Sequence, residues 1–173
     1  MAMKGRISLL ALALWASPVL ADSWLYAGGQ IGQARVDGES DLTYGLHVGT
    51  GIMPLIGLEF GYFRHGNMDF TFHGLNGNAD LASYYAAVKP SMNFGPLHLY
   101  AKGGINSYNI DYKGDISYLY KDDGISYMFG LGLEYLVLKN LSVGAGYQVF
   151  GLEMNKKSEF LHSLTANITF HFF

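Results

Sequence analysis

The chain has 173 residues, a length that fits one domain rather than several. Half of the residues are apolar and 15% aromatic, yet only 14% are charged, against roughly a quarter in an average soluble protein. A net charge of −3 excludes the basic footprint of a nucleic-acid binder, and the absence of cysteine excludes a disulfide scaffold, a zinc–thiolate centre and a thiol nucleophile.

At the N-terminus Lys4 and Arg6 precede an apolar run from Ile7 to Trp15, which ends in Ala16-Ser17-Pro18-Val19-Leu20-Ala21. Small side chains at Val19 and Ala21 suit a signal peptidase, so residues 1–21 read as a secretory signal peptide cleaved before Asp22. A membrane-spanning helix would need roughly 20 apolar residues, more than this run supplies. With no cysteine at the cleavage site a lipid anchor is excluded, and export leaves the periplasm, the outer membrane or the medium. Residues 22–173 are then the mature domain.

Eight segments alternate with a period of two, the mark of strands with two unlike faces: 24–33, 43–52, 56–64, 81–90, 97–107, 125–136, 141–150 and 162–172. One face carries Leu25 and Ile31, then Tyr44, Leu46 and Val48, then Leu58 and Phe60, and continues to Leu131, Leu133, Ile168 and Phe170 without a charge. Glycine, serine, asparagine and isolated charges occupy the other. A soluble barrel would show lysine and glutamate on its polar face, so this small, sparsely charged face suits a narrow interior and the apolar one suits lipid. Tyr44, Tyr62, Tyr84 and Tyr127 near one rim and Tyr135 near the other suit the headgroup zones. A sheet in lipid must also close, because open edges would leave backbone groups unpaired.

Connections of about 53–55, 92–96 and 137–140 are short, whereas 36–41, 65–80, 108–124 and 151–161 are mostly longer. That alternation predicts periplasmic turns, extracellular loops and both mature termini in the periplasm. The expected fold is all-β, an eight-stranded antiparallel up-and-down transmembrane β-barrel over residues 22–173.

Three stretches sharpen this reading: Pro96-Leu97-His98-Leu99-Tyr100-Ala101-Lys102-Gly103-Gly104-Ile105, the Phe129 to Tyr135 strand with its Leu141 to Tyr147 partner, and the aromatic C-terminus. On these the whole mature chain resembles the small outer-membrane β-barrels of the OmpA transmembrane-domain, OmpX and Ail type. The resemblance implies a Gram-negative outer membrane, contact with lipid and lipopolysaccharide, and insertion by the outer-membrane assembly machinery through the last strand. It also makes adhesion to host surface factors plausible. Such proteins usually end on a phenylalanine in phase with the lipid-facing residues, whereas here Phe172 is in phase and Phe173 is one step beyond.

Glu59, Lys89, Lys102 and Glu134 fall on the inward face of strands three to six, each a few residues from a periplasmic turn. Strands about 4.8 Å apart let such side chains meet, which predicts a band of structural ion pairs in a plugged interior rather than an ion path. His47, His98 and His171 share the inward face on separate strands without metal-ligand spacing and read as packed interior groups. His162 and Ser163 are adjacent, so they point to opposite faces and do not make a dyad. No catalytic residue, cofactor or metal is therefore expected. The alternatives are a lipid A-modifying enzyme, a small-solute porin or a soluble periplasmic ligand-binding barrel. Phe70, Phe72, His73, Tyr112, Lys113, Tyr118, Tyr120 and Lys121 form either a recognition surface on the loops or extensions of the strands above the membrane.

Overall fold

The computed structural model describes the backbone of residues 25–36, 38–53, 55–72, 75–113, 121–154 and 157–172. The expected signal peptide at 1–21, His73, Tyr118, Tyr120 and Phe173 lie outside the described residues, as do the side chains of Phe70, Phe72, Tyr112, Lys113 and Lys121. Eight strands run β1 (Leu25–Val36), β2 (Glu39–Met53), β3 (Ile56–Phe72), β4 (Leu75–Phe94), β5 (Leu97–Lys113), β6 (Lys121–Leu138), β7 (Leu141–Met154) and β8 (Lys157–Phe172). Each pairs antiparallel with its neighbours in sequence, and β1 closes on β8 from Leu25↔Phe172 to Arg35↔His162, giving an up-and-down barrel.

The alternation read from sequence sets the faces. Leu46 is 67% exposed, Leu131 64% and Ile168 51%, while Glu59, Lys89, Lys102 and Glu134 are buried. Apolar side chains therefore clothe the outside, and closure leaves no sheet edge along the paired barrel wall.

Two expectations need correction. Among the described residues the segments 36–41, 65–80, 108–124 and 151–161 are mostly strand, so the paired strands continue well past the apolar band. The two ends therefore differ in hairpin height. Ladder pairing carries the strands on: β3 and β4 stay in register from Asn67↔Asp80 to Phe72↔Leu75 after a shift between Arg64 and Asn67. Gly66 at that shift has φ of 85°, a left-handed conformation that glycine adopts without strain. Nothing in the outward pattern announces these extensions, because the period of two marks a face only where one side is lipid.

The interior, second, is not polar throughout. Toward the hairpin end Phe63, Met128, Phe150, Leu152, Leu161, Leu81, Tyr108 and Ile110 form an apolar cluster, most of it wholly buried. Phe150 meets Phe63 edge-on at 5.2 Å between ring centroids and stands 5.0 Å from His65, which stacks on Phe63. The inside thus has two layers, ionic near the termini and apolar beyond.

Above these layers the wall divides. The β6–β7 ladder begins at Met128↔Phe150 and the β2–β3 ladder at Tyr44↔Arg64, while β5–β6 pairing continues to Asp111↔Lys121 and β7–β8 pairing to Met154↔Lys157. Beyond that level β3 to β6 form one sheet and β7, β8, β1 and β2 another.

Candidate functional site

Among the described residues the most polar constellation is the layer around Glu59. Glu59 on β3 lies between Lys89 on β4 and Lys102 on β5, and Glu134 on β6 completes the group, because all four occupy inward phases of successive strands. Lys102 Nζ donates to Glu59 Oε1 at 2.5 Å, and Lys89 Nζ lies 3.1 Å from Oε2. Lys89 also stands 3.7 Å from Glu134 Oε1, so the ammonium of β4 bridges both carboxylates. Two anions and two cations sum to zero, the condition under which a low-dielectric interior tolerates charge.

Hydroxyls and amides satisfy the remaining lone pairs. Tyr26 Oη donates to Glu59 Oε2 at 3.0 Å and Tyr85 Oη to Oε1 at 2.6 Å. Ser142 Oγ donates to Glu134 Oε2 at 3.0 Å, and Asn167 Nδ2 faces both Glu134 Oε1 at 3.4 Å and Tyr100 Oη at 3.2 Å. Ring faces hold the cations: Lys89 Nζ lies 4.5 Å from the Tyr26 centroid and 4.3 Å from that of Tyr100, with Lys102 5.1 Å from Tyr100. Cation–π contact of this kind strengthens when it is desolvated.

Sequence reasoning placed the four charges in one band but missed these rings. Their signal is a cross-strand rule visible once register is known. Inward tyrosines stand opposite glycines: Tyr26↔Gly49, Tyr85↔Gly61, Tyr100↔Gly132 and Tyr108↔Gly124. A Cβ at Gly49, Gly61 or Gly132 would collide with the ring it faces. At Gly49, Gly61 and Gly132 the missing side chain makes room for the ring on the neighbouring strand, which brings the Tyr26, Tyr85 and Tyr100 hydroxyls into the ion layer, whereas Tyr108 lies in the apolar cluster.

The inward histidines do not converge. His47 Nε2 is 3.1 Å from Thr169 Oγ1, His171 Nε2 is 3.0 Å from Ser142 Oγ, and His98 Nδ1 is 4.0 Å from Glu134 Oε2. Among the described residues no group of three histidines or carboxylates is placed to hold a metal. His162 is exposed outside the wall while Ser163 is wholly buried inside it, so the two face opposite ways. A pairing that the sequence did not suggest is Tyr147 Oη with His162 Nδ1, 2.6 Å apart on the outer surface.

Chemically, the ion layer is paired and desolvated, and the apolar cluster lies beyond it. A closed antiparallel barrel with leucine and phenylalanine outside and ion pairs inside defines a transmembrane β-barrel. The chain belongs to the outer membrane protein beta-barrel domain family, whose profile matches residues 7–172. It is an integral outer-membrane barrel protein.

Solved structures share the fold at low identity. OprG, an outer membrane protein of Pseudomonas aeruginosa, is 11% identical over 89% of this chain and 99% of its own, with a TM-score of 0.62. Neisserial surface protein A is 17% identical over 86% and 96% respectively, with a TM-score of 0.57. Ail, the attachment invasion locus protein of Yersinia pestis, in complex with the heparin analogue sucrose octasulfate, is 15% identical over 84% and 96%, with a TM-score of 0.50. Among curated proteins no match was found.

Proposed function

We propose that this protein is a closed, non-conducting barrel of the Gram-negative outer membrane, without catalytic activity, that serves a structural and surface-adhesive role. Glu59, Lys89, Lys102 and Glu134 act as a structural plug. Residues 1–21 are the export signal, residues 22–173 the barrel, both mature termini lie in the periplasm, and the tall hairpins stand outside the cell. The orientation is supported by hairpin height, since β3 to β6 rise furthest from the end that holds the termini.

One observation supports the reading: two successive layers of buried side chains lie across the lumen, first the ion layer and then the Phe63, Met128, Phe150 and Leu161 cluster. An eight-stranded barrel has an interior just wide enough for side chains to fill. Adhesion is supported by likeness to Ail, a protein named for attachment and solved with a heparin analogue. Purified barrel in planar bilayers tests the closed lumen. Background conductance is expected, and reproducible large conductance steps would overturn it. Retention of expressing cells on immobilised heparin, above that of cells lacking the protein, tests the adhesive role.

A further inference from the structure

Arg35 and Arg64 both lie on the outward face where the apolar band ends, but their surroundings differ. Arg64 is neutralised: Nε donates to Asp80 Oδ1 at 3.1 Å and a terminal nitrogen to Oδ2 at 2.5 Å, with Tyr44 Oη at 3.5 Å. Arg35 follows Leu25, Ala27, Gly29, Ile31 and Gln33 along the lipid-facing side of β1, and its cross-strand partner on β8 is His162. Among the described residues no ion pair includes Arg35. Among the described residues, the carboxylates nearest along the ladders are in the wrong phase to supply one. Glu39, Asp41 and Glu159 pair with Val36, Ala34 and Leu152, all of which are buried inside the barrel.

His162 is held in place. The Tyr147 ring lies beside it, tilted by 26°, with Oη 2.6 Å from Nδ1. When the phenol donates to Nδ1, the imidazole proton resides on Nε2, so His162 offers a donor outward even in its neutral form. Directly toward the membrane centre are Leu164, 63% exposed, and Ile31, 55% exposed. Among the described residues, an arginine whose cross-strand partner is an imidazole held by Tyr147, set at the edge of a hydrocarbon-facing band, presents donors with no acid paired to them. The anions found at that depth of a bilayer are headgroup phosphates, which match a guanidinium fork in charge and geometry.

We propose that Arg35 and His162, with Tyr147 as the positioning residue, clamp the phosphate of a membrane lipid headgroup in the leaflet at the hairpin end. With the orientation given above, on which this assignment rests, that lipid is the phosphorylated glycolipid of the outer leaflet. Binding is by hydrogen bonds and charge alone, with no covalent step.

Native mass spectrometry of the intact barrel in detergent, with diphosphoryl lipid A as the probe, tests the clamp. Arg35→Gln and His162→Ala should each lower bound diphosphoryl lipid A by about tenfold, the size of one lost charge-assisted hydrogen bond. Tyr147→Phe should have a smaller effect, while Lys139→Gln, in a turn at the opposite end, should match the wild type. Dephosphorylated lipid A should bind wild type and variants alike, and excess inorganic phosphate should leave the lipid in place. Arg35→Lys, which keeps the charge and loses the fork, should fall between wild type and Arg35→Gln, and each variant is checked for the fold by its unboiled mobility. Undiminished binding by Arg35→Gln, equal loss of both lipid forms, or displacement by free phosphate would each overturn the clamp. Failure here leaves the closed-lumen reading intact, whereas a conducting pore would sink that reading without touching the clamp.

Discussion

Lys102 on β5 and Glu59 on β3 meet at 2.5 Å across the intervening strand, with both side chains sealed from solvent inside the barrel. Between them runs β4, whose Lys89 contacts the same carboxylate. The three strands are therefore tied by one buried anion. A pairing out of register by one residue would turn that anion into lipid, so the layer fixes register as well as filling space.

Removing the shared anion should be costly. Glu59→Ala leaves Lys102 without its anion and Lys89 with Glu134 alone, a loss of about 3–5 kcal/mol by analogy with other broken buried pairs. The midpoint of the heat-induced mobility shift in detergent should fall sharply, and Glu59→Gln, which keeps the hydrogen-bonding shape, should fall less. An unchanged midpoint would count against the network.

The tyrosine–glycine pairs make a non-additive prediction. Gly132→Ala introduces a Cβ into the space of the Tyr100 ring and should destabilise by roughly 1–3 kcal/mol. In the Tyr100→Ser background the same change should cost less, because the colliding ring is gone and only the Ala145 carbonyl, 2.8 Å from the added Cβ, still crowds it. Equal costs in both backgrounds, read from the same mobility midpoints, would refute the ring-over-glycine packing.

In the apolar layer Phe150 is wholly buried against Phe63. Phe150→Ala should cost about 3–5 kcal/mol through lost burial and the cavity left behind. Small effects at this site would mean that the layer is loosely packed.

The exposed pair should behave differently. Arg64 and Asp80 are bonded twice, yet the Arg64 side chain is 43% exposed, so screening and side-chain entropy offset most of the attraction. Asp80→Asn should shift stability by about 1 kcal/mol or less. A loss comparable to that of Glu59→Ala would show that this belt is far drier than its exposure indicates.

Strand number, facing and the clustering of the four inward charges were legible because lipid on one side and packed side chains on the other impose opposite chemistry on alternate residues. Leu131, Gly132, Leu133 and Glu134 show that contrast in four consecutive positions. Where both faces turn apolar the signal disappears. Met128 and Phe129, or Phe150 with Leu152 and Tyr147 with Val149, give no contrast, so the apolar layer went unread. Strand extensions such as Asn67 to Phe72 leave the lipid and depend on hairpin pairing, which single-strand periodicity does not report. Tyr26, Tyr85 and Tyr100 became ligands of the ion layer only through register, since each needs its glycine on the next strand.

The arrangement of apolar side chains outside and charges inside is tested most directly on β6, in a chain that contains no cysteine of its own. Single-cysteine substitutions from Phe129 to Tyr135, spin-labelled in a lipid bilayer, report contact with dissolved oxygen, which concentrates in the hydrocarbon. Accessibility should peak at Phe129, Leu131, Leu133 and Tyr135 and drop at Gly130, Gly132 and Glu134. Peaks at Gly130, Gly132 and Glu134 instead, or a flat profile, would contradict the account.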